Sequence, residues 1–512
     1  MNISINKDAP QIPIDRAWQT CVGSGHAFLA HRTDWTQYLK YVHDELGIRY
    51  VRFHGILDDD MLTVQRVSDF IPLPGASKIK EYSFAQVGKV YDNILSTGMK
   101  PFVELSFIPS ALASGRRKGL HYQNNITPPK NYDVWYDYIR RFVQYLINRY
   151  GKEEVESWYF EVWNEPDLKV FFTGSQQDYF KLYSYTARAV KSVDEKLCVG
   201  GPSTSASKWI PDFLAFVDRE KLPCDFISTH QYPGDGYGNG FRITDVFTKF
   251  PRVIRKGVKS GESVAKVNQN LFFDPANVRL TPKGVMAKVV EKAKQEAGQK
   301  PLFYTEWNCM SVFGSPAQDE KYSAAYAVKT ILDLGHETDC FSFWCCNDLF
   351  EETMFINTPF HGGFGLLTNQ GIPKPVFWAM KLLSGLYDCR LDLPSRTNEP
   401  VEYAAFTDGR KLQILLYAQE MDYETHQNFS VQLSVNGEYS SAKVIRIDDS
   451  HCNPKRIWQE MGSPMDLTPV QVKTIKEHSC PIVEPIALQT AAEGCSMMLE
   501  ISSNDTILIS LE

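Results

Sequence analysis

Two rhythms of apolar and polar positions run along this chain, and they change over near residue 388. Upstream, short apolar runs of strand length alternate with longer stretches whose apolar positions recur at helical spacing. The runs predict strands at 20–28, 49–53, 100–107, 158–165, 197–202, 226–232, 301–306 and 340–347. The intervening periodicity predicts helices at 34–46, 83–95, 133–150, 177–193, 209–219, 282–297 and 320–334, with a last one at 375–386. Gly47 marks the stop of the first helix, and Ser83 is placed to cap the second. Strands and helices alternating in this way predict an α/β fold, a (β/α)8 TIM barrel. An open doubly wound sheet is the alternative, but no glycine-rich phosphate loop follows the first strand.

Downstream the period drops to two. Short β-branched runs at 401–406, 412–417, 429–435, 442–447, 496–501 and 506–511, separated by Gly, Asn and Asp, predict an antiparallel β-sandwich. The run at 3–5 is suited to join it, which gives a barrel over 14–388 and a sandwich built from 1–13 plus 389–512. The long excursion after Pro233, opening with the glycine-rich 234–240, is expected to wall the cleft at the barrel mouth.

The candidate chemistry sits where strands end. The fourth strand runs through Trp158-Tyr159-Phe160-Glu161-Val162-Trp163 and stops at Asn164-Glu165-Pro166. Pro166 biases Glu165 toward an extended backbone, and its aromatic neighbours favour a raised pKa. A second acid, Glu306, closes the seventh strand in Tyr304-Thr305-Glu306-Trp307-Asn308. Two strand-terminal glutamates in aromatic surroundings suit glycoside hydrolysis, which needs one carboxylic acid and one carboxylate. Asn164 is placed to bond a sugar hydroxyl, and Trp163 and Trp307 offer flat faces to a pyranose ring. His26, His54 and His230 also reach strand ends, which makes a metal-dependent hydrolase the competing enzyme class. No His-x-His on the first strand and no His-Glu-x-x-His supports it, so neither metal nor cofactor is expected.

Composition narrows the partners. The formal charge of −7, with no Lys/Arg block that stands out, argues against nucleic acid and leaves neutral substrates. No run is long and apolar enough to span a membrane, and residues 1–10 hold no signal-peptide core. Eleven scattered cysteines without a Cys-x-x-Cys pair predict a reducing, cytoplasmic setting. The adjacent Cys345 and Cys346 are read as packing groups, because neighbours on a strand face opposite ways.

With these residues in hand, the sequence resembles glycoside hydrolase family 39, known for β-xylosidases and α-L-iduronidases. The resemblance rests on Val51-Arg52-Phe53-His54-Gly55, Asp58-Asp59-Asp60-Met61, Trp163-Asn164-Glu165-Pro166 and Ser228-Thr229-His230-Gln231-Tyr232-Pro233. It continues through Thr305-Glu306-Trp307-Asn308, Phe343-Trp344, Asp348-Leu349-Phe350-Glu351-Glu352 and Gly362-Gly363-Phe364-Gly365-Leu366. It implies a retaining glycosidase with Glu165 as acid/base, Glu306 as nucleophile, and a barrel joined to a sandwich that takes in the N-terminal strand. Glycone contacts are implied for His54, Asn164, His230, Tyr232, Trp344 and Glu351. Such enzymes act on small oligosaccharides and often form homo-oligomers. An ionised Glu306 is expected to raise the pKa of Glu165 by like-charge repulsion. The Phe350-Glu351-Glu352 segment looks like the xylosidase branch, hence exo-action on β-D-xylosides. An α-L-arabinofuranoside, arabinobioside or α-L-iduronide glycone is the alternative, and a non-catalytic carbohydrate-binding barrel is the alternative of another class. Cys309, Cys345 and Cys346 stand where the family is expected to carry small or hydroxylated residues.

Overall fold

The computed structural model describes the whole chain except residues 79, 236–242, 273–280, 312–313, 353–355, 395–398 and 492–493. Eight parallel strands close into a barrel: β1 Cys21–His26, β2 Tyr50–His54, β3 Lys100–Glu104, β4 Tyr159–Glu161, β5 Cys198–Thr204, β6 Phe226–Gln231, β7 Leu302–Trp307 and β8 Cys340–Phe343. Each pairs with the next in sequence, and β8 pairs with β1. The helices between and after them are α1 Thr33–Leu46, α2 Ala85–Leu95, α3 Tyr132–Tyr150, α4 Gln176–Val193, α5 Ile210–Glu220, α6 Val285–Ala297, α7 Lys321–Leu334 and α8 Pro375–Ser384. The predicted alternation is therefore the observed one, with bounds shifted by a few residues.

Local chemistry explains most of those bounds. Gly47, in the left-handed region at φ 73°, closes α1 as its spacing predicts. The side chain of Asn131 accepts the backbone N–H groups of Asp133 and Val134 and opens α3. Ser83 does not cap α2. Phe84 takes that place without a side-chain bond, while the Ser83 N–H donates to the Thr63 carbonyl instead.

The barrel floor is a layer of side chains from the strand starts. Cys21, Phe102, Phe226, Phe303 and Cys340 are buried there, with Tyr50, Tyr159 and Cys198 packed against them. Two residues further along, the strand period brings a second inward layer that is polar and fully buried: Arg52, Glu104, Glu161, Ser228, Thr305 and Ser342. Small thiols in the floor let the rings of Phe226 and Phe303 stack there at 4.6 Å. Cys345 and Cys346 are buried and unbridged.

The second unit is a pair of packed sheets. One runs in the order Gln11–Pro13, Cys389–Leu391, Glu402–Thr407, Leu412–Tyr417, Thr506–Leu511, Ala442–Ile447 and Glu484–Ile486. The other holds Asn2–Ile5, Asn428–Asn436, Gly494–Ser502 and Gln489–Ala491, with Asn2–Ile5 parallel to Asn428–Asn436. Ile3, Ile5, Ile414, Leu433 and Ile509 share one core between them. Two helices that the period-two pattern does not announce, Pro454–Glu460 and Pro469–His478, interrupt the strands and cover Phe360 and Ile372. The sandwich meets the barrel at α7, where Lys329 pairs with Glu402 at 2.7 Å and Lys321 with Asp505 at 2.9 Å.

Candidate active site

β4 stops at Glu161, and the chain that follows it turns sharply. Trp163 and Glu165 adopt positive φ values of 73° and 39°, so Glu165 is not extended as the following proline suggests. The Glu165 N–H donates to the Ser203 carbonyl at 2.8 Å, and Ser203 itself sits at φ 53°. Left-handed backbone at non-glycine residues carries strain that surrounding bonds must offset. The turn brings Glu165 back over the barrel axis, toward a β7 that is not its neighbour in the sheet.

There it meets Glu306. A carboxylate oxygen from each glutamate and a ring nitrogen of His230 all lie within 4.8 Å of one another. Glu306 faces His230 in the β6–β7 register, just past an irregularity in both strands. Its Oε1 accepts from Arg52 Nη1 at 2.8 Å, and its Oε2 accepts from the Tyr232 hydroxyl at 2.9 Å. Glu165 Oε1 lies 3.0 Å from His230 Nδ1.

The two acids have different electrostatic surroundings. Burial pushes Glu165 up to about 8, and the charge of Asp167 adds to it, against His54 and Arg52. The expected cause, repulsion from Glu306, is not among the leading ones. Burial raises Glu306 as well; His230 and Arg52 oppose the rise without cancelling it, and the repulsion from Glu165 falls on this partner.

Arg52 organises the layer beneath. It is fully buried, and its Nε donates to Glu161 at 2.6 Å, while Nη2 reaches Glu104 at 2.8 Å and Asn164 Oδ1 at 2.9 Å. Burial would lower its pKa, but Glu104, Glu161 and Glu306 outweigh that and raise it. His54 bonds Glu104 through Nδ1 at 2.7 Å and faces Glu352 through Nε2 at 3.2 Å. Burial opposes its charge, yet those carboxylates raise His54 well above its ordinary value. Both ring nitrogens of His54 thus serve carboxylates, while His26 pairs with Asp58 at 3.1 Å. Each of the three strand-end histidines is engaged by its own set of partners.

The sequence-derived candidates gather here, with corrections. His54, Asn164, His230, Tyr232 and Trp344 surround the two glutamates, Trp344 with its ring 4.8 Å from that of His54. Gly23 makes this possible, because a Cβ there would overlap the Trp344 ring. Asn308 bonds the Trp344 carbonyl and, at 3.0 Å, that of Phe364. Of the Glu351–Glu352 pair, Glu352 makes the contact with His54, and the charge of Glu351 acts toward His26 and Arg32. Trp163 and Trp307 are not sugar platforms. Both are fully buried, Trp163 against Phe107 and Trp307 against Phe341. Arg52, Glu104, Glu161 and Thr305 escape a search of strand ends. Their signal is a polar residue at an inward position of a strand buried on both faces.

Beside Glu165 opens a cavity of about 610 Å³ lined by Ser207, Lys208, Tyr232, Asp235 and Lys292. Asp235 is the described part of the 233–280 excursion that borders it; the remainder forms helices Ile243–Ser260 and Val264–Phe272, and 236–242 and 273–280 lie outside the described residues.

The two buried glutamates meet at the C-terminal ends of the barrel strands, the end where such barrels hold their active sites, and the protein is a glycoside hydrolase. The chain belongs to glycosyl hydrolases family 39, whose model matches residues 1–268 and 276–495. A β-xylosidase from Caldicellulosiruptor saccharolyticus is 39% identical over 485 residues, spanning 94% of this chain and 91% of the relative. One from Geobacillus stearothermophilus is 32% identical over 504 residues, 97% and 92% of the two chains. The solved family-39 β-xylosidase from Caulobacter crescentus superposes with a TM-score of 0.75 at 31% identity, over the full length of both chains.

Proposed function

We propose that this glycosidase is a retaining, exo-acting β-D-xylosidase, with Glu165 as acid/base and Glu306 as nucleophile. The β-xylosidase relatives at 39% and 32% identity support the substrate class. The observation that carries the mechanism is the asymmetry of the pair: Glu165 is raised to about 8 by burial, while Glu306 holds hydrogen-bond donors on both oxygens. Their closeness, with oxygens within 4.8 Å, fits direct attack, for which carboxyls stand about 5–5.5 Å apart.

In the first half, Glu165 gives its proton to the glycosidic oxygen as Glu306 bonds the anomeric carbon. Esterification removes the Glu306 charge. Glu165, now a carboxylate, takes a proton from water, and the incoming oxygen displaces Glu306. Asn164 supports glycone binding, because its amide nitrogen is buried without a partner and its oxygen is held by Arg52. His54, His230, Tyr232, Trp344 and Glu351, with Glu352, complete the glycone pocket in this reading. The leaving group occupies the cavity beside Glu165.

Product stereochemistry tests the roles. Glu165→Ala should still form the glycosyl-enzyme from an activated aryl β-xyloside and then stall. Azide, which needs no base, should restore turnover and give the β-xylosyl azide. Glu306→Ala with azide should give the α product by a single inversion. The reverse pairing of variant and product would show the roles exchanged. Preferential turnover of an aryl α-L-arabinofuranoside or α-L-iduronide would overturn the glycone assignment.

A further inference from the structure

A chain of three hydrogen bonds runs from the barrel interior to Glu165, and its direction is set by chemistry. Thr305 Oγ1 lies 2.8 Å from Glu161 Oε1 and 3.1 Å from His230 Nε2. The other oxygen of Glu161 accepts from Arg52 Nε at 2.6 Å, an ion pair that keeps Glu161 an acceptor. A threonine hydroxyl has one proton, and here it must go to Glu161, since otherwise two oxygen lone pairs would face each other at 2.8 Å. Thr305 is left able only to accept from His230. A neutral His230, the form its burial favours, therefore carries its single proton on Nε2, where Thr305 accepts it. Nδ1 is then a lone pair aimed at Glu165 Oε1, 3.0 Å away, while Glu306 Oε2 lies beyond hydrogen-bond reach at 3.6 Å. A lone pair facing a carboxylate is repulsive; facing a carboxylic acid, it is a hydrogen bond.

We infer that Thr305, oriented by Glu161, is a positioning residue that locks His230 as the Nε2–H tautomer and thereby retains the catalytic proton on Glu165. This rests on the acid/base reading above and adds to it the device that loads the acid. The groups that bear on the pair come from several elements. His230 is faced by Glu306 on β7, Arg52 and His54 on β2 and Glu161 on β4. Glu165 is faced by Asp167, Glu352, His54 and Arg52, with Asp235 also within range. Substituting Thr305 alters none of these charges, and that makes it the clean perturbation.

In Thr305→Val the His230 Nε2 loses its acceptor. The tautomer that donates from Nδ1 then becomes the better one, and it stabilises ionised Glu165. With an unactivated xyloside, the alkaline limb of kcat/KM should move down by at least about one pH unit, which is a tenfold loss at a pH above both limbs. Thr305→Ser should restore the limb. The position of the limb, unlike its height, is not moved by a partly unfolded preparation. Selective 15N-histidine labelling of the full enzyme should show His230 protonated at Nε2 in the parent and at Nδ1 in Thr305→Val. An unmoved limb, or a parent His230 protonated at Nδ1, overturns the inference. Failure of the acid/base reading is read separately: Glu165→Ala would then lack azide rescue, while the tautomer result would stand.

Discussion

Arg52→Met tests whether one buried cation holds the carboxylate layer together. The guanidinium lies 2.6 Å from Glu161, 2.8 Å from Glu104 and 2.8 Å from Glu306. Methionine fills much of the volume without the charge and strands these carboxylates in the barrel interior. The least costly relaxation is to protonate one of them. At pH 7, against an ordinary glutamate pKa of about 4.3, that costs about 3.7 kcal/mol, at about 1.36 kcal/mol per pH unit. A figure of about 3–5 kcal/mol is also the usual cost of breaking a buried ion pair from one side. With an unfolding entropy of about 2.1 cal/mol/K per residue, a 512-residue chain loses about 1 °C of Tm per kcal/mol. The expected deficit is about 4 °C at pH 7. At pH 5 the same proton costs about 1 kcal/mol, so the deficit shrinks to about 1 °C.

On the parent's side of the balance stands Glu104. Burial alone would raise it, but Arg52 and His54 outweigh burial and hold it below the ordinary carboxylate range. A group depressed in the folded state adds stability above its unfolded pKa and loses it as pH falls through the folded value. That loss lies below the range from pH 8 to 5, where the parent keeps its full contribution; over that range the variant's stranded carboxylate takes its proton at falling cost, so the two Tm curves should converge. Calorimetric scans of the parent, Arg52→Met and Arg52→Lys from pH 5 to 8 measure this. Lysine keeps the charge but cannot fork to Glu161, Glu306 and Asn164 at once, so it should fall between the two. A deficit as large at pH 5 as at pH 7, or none at either, would refute the reasoning.

Two further outcomes follow from single contacts. Tyr232→Phe removes the hydroxyl that donates to Glu306 Oε2 at 2.9 Å; a bond to a charged group is worth about 1.5–3 kcal/mol, so kcat/KM should fall roughly ten- to hundredfold with little change in Tm. A loss below threefold would show that Tyr232 does not steady the carboxylate during reaction. Lys374, fully buried, forms ion pairs with Asp319 and Asp348 at 2.7 Å each and donates to the Gly363 carbonyl at 2.9 Å. Lys374→Met should lower Tm by about 3–5 °C, by the buried-pair cost used for Arg52, and a parent-like melting curve would contradict that.

The sequence by itself determined the barrel, the segments that carry the two glutamates and the central strands of the sandwich. Each of these is a local signal. Apolar period distinguishes strand from helix, and a strand that ends abruptly in Asn-Glu-Pro or Glu-Trp-Asn advertises its last side chains. Even the N-terminal strand Asn2–Ile5 was legible, although its partner Asn428–Asn436 lies more than four hundred residues away. The three-dimensional closure decided the rest. Arg52 reads as an ordinary polar position in a strand until eight strands curl inward and set it among Glu104, Glu161 and Glu306. Glu165 reads as extended before a proline, yet its hydrogen bond to Ser203 on the next strand holds it at φ 39°. Trp163 and Trp307 look like sugar platforms beside the glutamates, but the barrel turns them into its core, and Trp344, admitted by Gly23, faces His54 instead. A periodicity tells which face a side chain takes; which partners meet it there depends on strands far away in sequence, and only the closed sheet brings them within a hydrogen bond.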